Sequence, residues 1–223
     1  MQQAVILAAG RGERLRPRTD YLPKPLLSVG GRPLIVRHLD ALAAAGVERV
    51  FINLSHLGAL LPRFLGGQWQ GMVLEYSDEG PQRLETGGAL VALRERLAGQ
   101  PFLLLNGDIC TAHPLPALLA SAPGLVLVDN PAHHPAGDFG EEEGWLTLPD
   151  PSRPSYTYSG LAVLDAAWLH AYPPGPASLA PWLREWIATR RLRAYHQQGF
   201  WCDVGSPERL RFARSHCGGK HGI

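Results

Sequence analysis

Within residues 5–25, VILAAGRGERLRPRTDYLPKP, two glycines and five cations follow an apolar run. Gly10 and Gly12 lack the Cβ atoms that keep a phosphate away from backbone N–H groups. Arg11, Arg14, Arg16 and Arg18 come next, and Lys24 stands between Pro23 and Pro25, which limit its backbone freedom. Of the 21 Lys and Arg side chains only Lys24 and Lys220 are lysines, so a compact ammonium here departs from the chain's habit. The chemistry these parts serve is the binding of a polyphosphate. A plain surface lysine in a turn is the bland alternative, and the neighbouring glycines and arginines weigh against it.

Two acidic positions stand at comparable points. Asp108 closes Asn106-Gly107-Asp108 after the apolar PFLLL, and Asp203 lies in WCDVG. Carboxylates from distant parts of a chain can clamp one hard cation, and magnesium takes one or two of them while keeping waters and phosphate oxygens. Taken alone, Asp108 reads as an Asx turn and Asp203 as a residue preceding a helix. Two familiar phosphate-loop readings fail: Leu15 stands where a dinucleotide fingerprint needs its third glycine, and no Gly-Lys-Ser/Thr occurs. No Ser-His-Asp or Cys-His constellation is evident, and the adjacent His133 and His134 are expected to point apart rather than toward one metal.

The elements that must position these residues alternate. Apolar segments at 4–9, 49–53, 72–76, 101–105, 125–128, 158–164 and 192–196 read as strands. Helices are expected at 33–45, 57–65, from 85, at 115–120, from 166, at 179–188 and from the Ser206-Pro207 pair. That rhythm implies an α/β fold, a mixed, mostly parallel sheet with helices on both faces. Gly10 and Asp108 each follow a strand end, which puts them on one carboxyl edge, where such sheets bind ligands. Residues 130–154 hold five prolines and break the rhythm, so a long loop or hairpin is expected there.

The 223 residues suit one domain, expected over 1–215, with a glycine-rich tail at 216–223. A net charge of +1 offers no argument for nucleic acid or an anionic membrane. No apolar run is long enough to span a bilayer, and the chain enters its first strand without a signal-like segment. Cys110, Cys202 and Cys217 are odd in number and scattered, which reads as separate thiols in a reducing cytoplasm.

The composite GxGxRLxPxT followed by PKP resembles the signature of the sugar-nucleotidyltransferase family, and the resemblance runs from residue 4 to about 213. Narrower similarity, to members that join UTP to N-acetylmuramate 1-phosphate in peptidoglycan recycling, lies in ETGGAL, LLNGDI, LVDNPAHHPAGDF, LTLPDPSRPSYTYSGLAVL, SLAPWLR and WCDVGSPERL. The resemblance implies a single-domain Rossmann-like nucleotidyltransferase fold and a magnesium-dependent enzyme. It implies that Gly10, Arg11, Gly12, Glu13 and Arg14 line the triphosphate, with Arg14 and Lys24 on the reacting phosphates. Gly87 and Gly88 are implied to let the base approach, and Asn106, Asp138, Ser159 and Gly160 to address the sugar. Asp108 and Asp203 are implied to hold magnesium. Many members have a lysine near the sugar phosphate that this chain lacks, and Arg153 is the nearest cation in sequence. Rival readings are a guanylyl- or thymidylyltransferase acting on mannose or glucose 1-phosphate, and a non-catalytic nucleotide-sugar-binding regulatory protein.

Overall fold

The computed structural model describes residues 2–80 and 83–217. In chain order its first elements are β1 (Gln3–Leu7), β2 (Ser28–Val29), β3 (Arg32–Pro33), α1 (Leu34–Ala44), β4 (Arg49–Leu54), α2 (Leu60–Leu65), β5 (Gln68–Trp69), β6 (Met72–Asp78) and α3 (Glu85–Leu93). Next come β7 (Pro101–Asn106), β8 (Ile109–Thr111), α4 (Leu115–Leu119), β9 (Gly124–Val128), β10 (Gly140–Glu142) and β11 (Trp145–Thr147). The last are β12 (Thr157–Asp165), α5 (Ala180–Ala188), β13 (Arg193–His196), β14 (Trp201–Asp203) and α6 (Pro207–His216).

Ten strands form one mixed sheet in the order β10-β11-β13-β9-β12-β7-β1-β4-β6-β5. Its centre, β6, β4, β1 and β7, is parallel, whereas β12 runs antiparallel to both β7 and β9. Central strands are apolar on both faces because both faces are covered: Ala4, Val5 and Ile6 of β1 have no exposed surface. One face packs α1 and α2 through Ile35, Leu39, Leu42 and Leu61. The other packs α3 and α5 through Leu90, Leu93, Trp182 and Trp186. Helix α1 begins after Pro33 and stops before Gly46, whose φ of 82° suits glycine alone.

A third, smaller core bears most on the site. Leu15, Leu27, Leu34, Val204 and Leu210 gather the glycine-rich loop, the ribbon formed by β8 and β14, and α6. The same packing corrects the reading of three separate thiols. Cys110 in β8 and Cys217 beyond α6 form a disulfide with Cα atoms 7.6 Å apart, leaving Cys202 as a buried free thiol.

The irregular stretch 130–154 contains the β10–β11 hairpin, turned by Glu143 and Gly144, both with positive φ, as a two-residue hairpin requires. Of the tail expected over 216–223, His216 lies within α6, and Arg37 donates to the Cys217 carbonyl at 2.9 Å. Residues 218–223 lie outside the described residues. Among the described residues no helix is long and apolar enough to cross a membrane.

Candidate active site

The carboxyl ends of β1, β4 and β7 lie side by side, and backbone contacts draw their loops together. Gly107 N–H donates to the Leu7 carbonyl at 2.9 Å, and a Cβ on Gly107 would lie 2.7 Å from that oxygen. Only glycine lets the Asn106–Asp108 turn sit this close to the start of the glycine-rich loop. On the other side, Ala8 N–H donates to buried Asn53 Oδ1 at 2.6 Å, and Asn53 Nδ2 donates to Glu79 at 2.7 Å. Glu79 in turn accepts the Leu84 N–H at 3.0 Å, so one carboxamide ties three strand ends to the start of α3.

These loops enclose a cavity of about 200 Å³ whose wall includes Gly10, Lys24, Asn53, Glu79 and Arg83. Lys24 is 8% exposed, and its Nζ lies 2.5 Å from Asp108 Oδ2. A buried ammonium without a counter-ion is costly, and Asp108 supplies one. Gly12 explains how Lys24 reaches this place. Its φ is 67°, and a Cβ there would lie 2.8 Å from Thr19 Cγ2 and 3.4 Å from Lys24 Cβ. Thr19 Oγ1 closes the loop by donating to the Gly12 carbonyl at 2.8 Å. Arg11, Glu13 and Arg14 are exposed on the same loop and line neither cavity of the site.

A second cavity, about 280 Å³, adjoins the first and shares Asn106 and Asp108 with it. Its other walls come from His133, His134, Tyr158, Ser159, Trp201 and Asp203. The β8–β14 ribbon pairs Asp203 with Ile109, and Val204 N–H donates to the Asp108 carbonyl at 2.7 Å, so both carboxylates sit at one end of it. Arg209 Nη1 contacts Asp203 at 3.0 Å (Oδ1) and 2.8 Å (Oδ2) and also donates to His133 Nε2. Ser206 caps α6 by accepting the Arg209 N–H, and Gly205 leaves the room that the guanidinium fills. Gly160, with φ of 86° at a bulge in β12, leaves similar room for Asn106, whose Nδ2 is 2.9 Å from where a Cβ would be. Ser159 turns its Oγ to the Leu161 N–H, while its carbonyl accepts the Trp201 indole N–H at 2.8 Å.

Beneath the ribbon, α1 presents the buried His38. Burial lowers its pKa to about 4, with the Asp108 charge and a hydrogen bond to the Ile109 backbone opposing that shift. Cys202 is no nucleophile: burial, and then the Asp203 charge, push its thiol up to about 12.

Four groups noted in the sequence take the following places. A Cβ on Gly87 would lie 2.8 Å from the Trp182 ring, and one on Gly88 would strike the Gly175 carbonyl. Neither lines the cavity; their smallness seats α3 against 175–182, and the neighbouring Glu85 and Thr86 reach the cavity instead. Asp138 stands behind His134, accepting from Tyr158 N–H at 2.8 Å and lying 3.0 Å from His134 Nε2. Arg153 is exposed and paired with Glu142 and Asp150, away from both cavities. His133 and His134, expected to point apart, line one wall. The carboxyl-edge rule also covers Asn53 and Glu79, at and just after the ends of β4 and β6, although no motif marks them.

Residues 3–140 match the family described as nucleotidyl transferase. The N-acetylmuramate alpha-1-phosphate uridylyltransferase of Neisseria meningitidis serogroup B is 40% identical, over 97% of this chain and 98% of its own. The mannose-1-phosphate guanylyltransferase catalytic subunit beta of Danio rerio is 30% identical over 92% of this chain, which spans 62% of that relative's length. A solved Bacillus anthracis structure, assigned as a glucose-1-phosphate thymidylyltransferase, shares the fold with a TM-score of 0.84 at 20% identity, over 99% of this chain and 96% of that one. With the glycine-rich loop, Lys24 and Asp108 at one sheet edge, and with that family match and near-full-length relative, the chain belongs to the nucleotidyl transferase family.

Proposed function

We propose that the protein joins UTP to N-acetylmuramate 1-phosphate, forming the UDP-sugar and releasing pyrophosphate. The observation that carries the reaction class is the pair of adjoining cavities that meet at Asn106 and Asp108, with buried Lys24 on the wall of the first. Two substrates must meet in such a reaction, and a shared wall is where they meet. The choice of uracil and N-acetylmuramate rests on the Neisseria relative. A place in peptidoglycan recycling in the cytoplasm follows from that choice.

The chemistry needs little acid–base help. An oxygen of the sugar 1-phosphate is already anionic; it attacks the α-phosphorus, a P–O bond forms, and the bond to the bridging oxygen breaks with pyrophosphate as leaving group. The barriers are repulsion between polyanions and in-line alignment, which cations and fixed donors lower. Gly10 and Gly12 keep the phosphate loop open to the triphosphate, with Arg11, Glu13 and Arg14 exposed beside it. Lys24 neutralises charge on the phosphorus under attack. Asn106, seated on Gly160, holds the sugar beside Ser159.

The donor set suits magnesium. Asp108 and Asp203 sit at one end of a ribbon, and among the described residues no group of three or more His, Cys, Asp or Glu could hold a metal. Two carboxylates are what magnesium ordinarily takes from a protein. When bound there, the ion would supply charge neutralisation on phosphate oxygens, with Lys24 and Arg209 countering the carboxylates otherwise.

The test is pyrophosphate release with magnesium, crossing UTP, dTTP, GTP, ATP and CTP with several sugar 1-phosphates. Turnover confined to UTP with N-acetylmuramate 1-phosphate supports the reading. Turnover with glucose or mannose 1-phosphate keeps the reaction class and rejects the substrate. Nucleotide binding without turnover of any pair points to a regulatory protein.

A further inference from the structure

N-Acetylmuramate differs from N-acetylglucosamine by a lactyl ether that ends in a carboxylate. An enzyme for its 1-phosphate must bring that third carboxylate into a cavity already walled by Asp108 and Asp203. Like charges gathered in one cavity oppose binding. Lys24 and Arg209 counter the two protein carboxylates, and Arg153 lies elsewhere. The residues lining the second cavity include no Lys or Arg, and His133 and His134 supply its two imidazoles.

The segment that presents them is held firmly. Asn130 Nδ2 donates to the Pro135 and Ser155 carbonyls at 3.2 and 3.0 Å, and its Oδ1 accepts from Thr157 at 2.9 Å. Gly137, with φ of 63°, has no room for a Cβ against that carboxamide. Each ring has its own support. His133 Nε2 accepts from Arg209 and lies 3.4 Å from Asp203 Oδ1, which leaves Nδ1 as the N–H donor of the neutral ring. His134 is held by Asp138, whose second oxygen takes the Tyr158 N–H. His134 Nε2 faces Asp138, and its other ring nitrogen is left for a second partner.

We propose that His133 and His134 determine sugar specificity by binding the carboxylate of an acidic sugar 1-phosphate. The proposal rests on the N-acetylmuramate reading above. A lactyl carboxylate and the 1-phosphate are both anions, so the experiment separates them. Values of kcat/KM are measured at saturating UTP for N-acetylmuramate 1-phosphate and N-acetylglucosamine 1-phosphate, with the inhibition constant of the latter as a second readout. The proteins are wild type, His133→Ala, His134→Ala, the double variant and His134→Arg, each checked by thermal melting. His133→Gln or His134→Gln replaces the corresponding alanine variant where that variant fails to fold.

The expected result is a fall of at least about tenfold in the ratio of the two kcat/KM values for each single variant, the scale of one charged hydrogen bond. The double variant falls further, and His134→Arg recovers part of the loss. Equal losses on both sugars would assign the rings to the shared phosphate and overturn the proposal, as would an unaltered ratio. Wild type that uses another sugar 1-phosphate and never N-acetylmuramate 1-phosphate overturns the substrate reading itself, and the histidine assignment with it.

Discussion

The two cavities are built on different plans. The first is made from consecutive strand ends of the parallel centre, β1, β4 and β7, joined by backbone contacts and one buried carboxamide. The second is assembled from the β8–β14 ribbon, the anchored segment around 130–138, the bulge in β12 and the cap of α6. In the first, the sheet itself sets the geometry. In the second, side-chain pairs such as Arg209 with Asp203 and Asp138 with His134 set it.

Asp108 belongs to both cavities, and its loss should erase the distinction between them. Asp108→Ala is expected to lower kcat by at least about a thousandfold, the upper end for removing one group that acts on developing charge. Its magnesium dependence should weaken as well. Steady-state kinetics across magnesium concentrations decide this, and wild-type turnover would remove Asp108 from the site. Lys24→Met should come next, at about a hundredfold in kcat. It also strands Asp108 without its counter-ion, so a lower Tm should accompany the kinetic loss. Wild-type kcat with a lowered Tm would make Lys24 a structural residue of the turn.

Asn53 sharpens the contrast, because it supports the first cavity alone. Asn53→Leu removes the acceptor for Ala8 N–H and the donor to Glu79, both internal, and should cost about 3 kcal/mol of stability. The KM for UTP is expected to rise while the KM for the sugar phosphate holds. Urea unfolding and the two KM values measure this, and a parallel rise in both would show that the cavities are coupled through the sheet.

What was legible follows the same division. The glycine-rich loop with the strand before it, and Asp108 with the strand before it, each stand in a local motif, because turn chemistry and strand ends are written in neighbouring residues. Asn53, Glu79 and Arg209 were not visible, since each acts through a partner at least 26 residues away or in a fold-made contact. Gly87 and Gly88 show the converse: a motif signalled that glycine was needed without saying whether a ligand or Trp182 required it. His133 and His134 were noticed and set aside because adjacent side chains diverge along an extended strand. The turn held by Asn130 and Gly137 is not extended, and both rings reach one wall.

The smallest expected effect lies beneath the junction of the two cavities. His38 is buried against the Ile109 backbone with its Nε2 unpartnered among the described residues, and its pKa falls from 6.5 to about 4. Native protein then binds fewer protons than unfolded chain between those values, so stability rises with pH across the window. Stability should be complete above about pH 6.5 and lost progressively as pH falls toward 4, by about 2 kcal/mol at pH 4.5. Urea unfolding from pH 7 to 4.5 measures the slope, and His38→Leu should flatten it. The charge on Asp108 partly supports the protonated ring, so Asp108→Asn should steepen the loss. A slope unaffected by His38→Leu would place the acid sensitivity in other groups and leave His38 as packing beneath the ribbon.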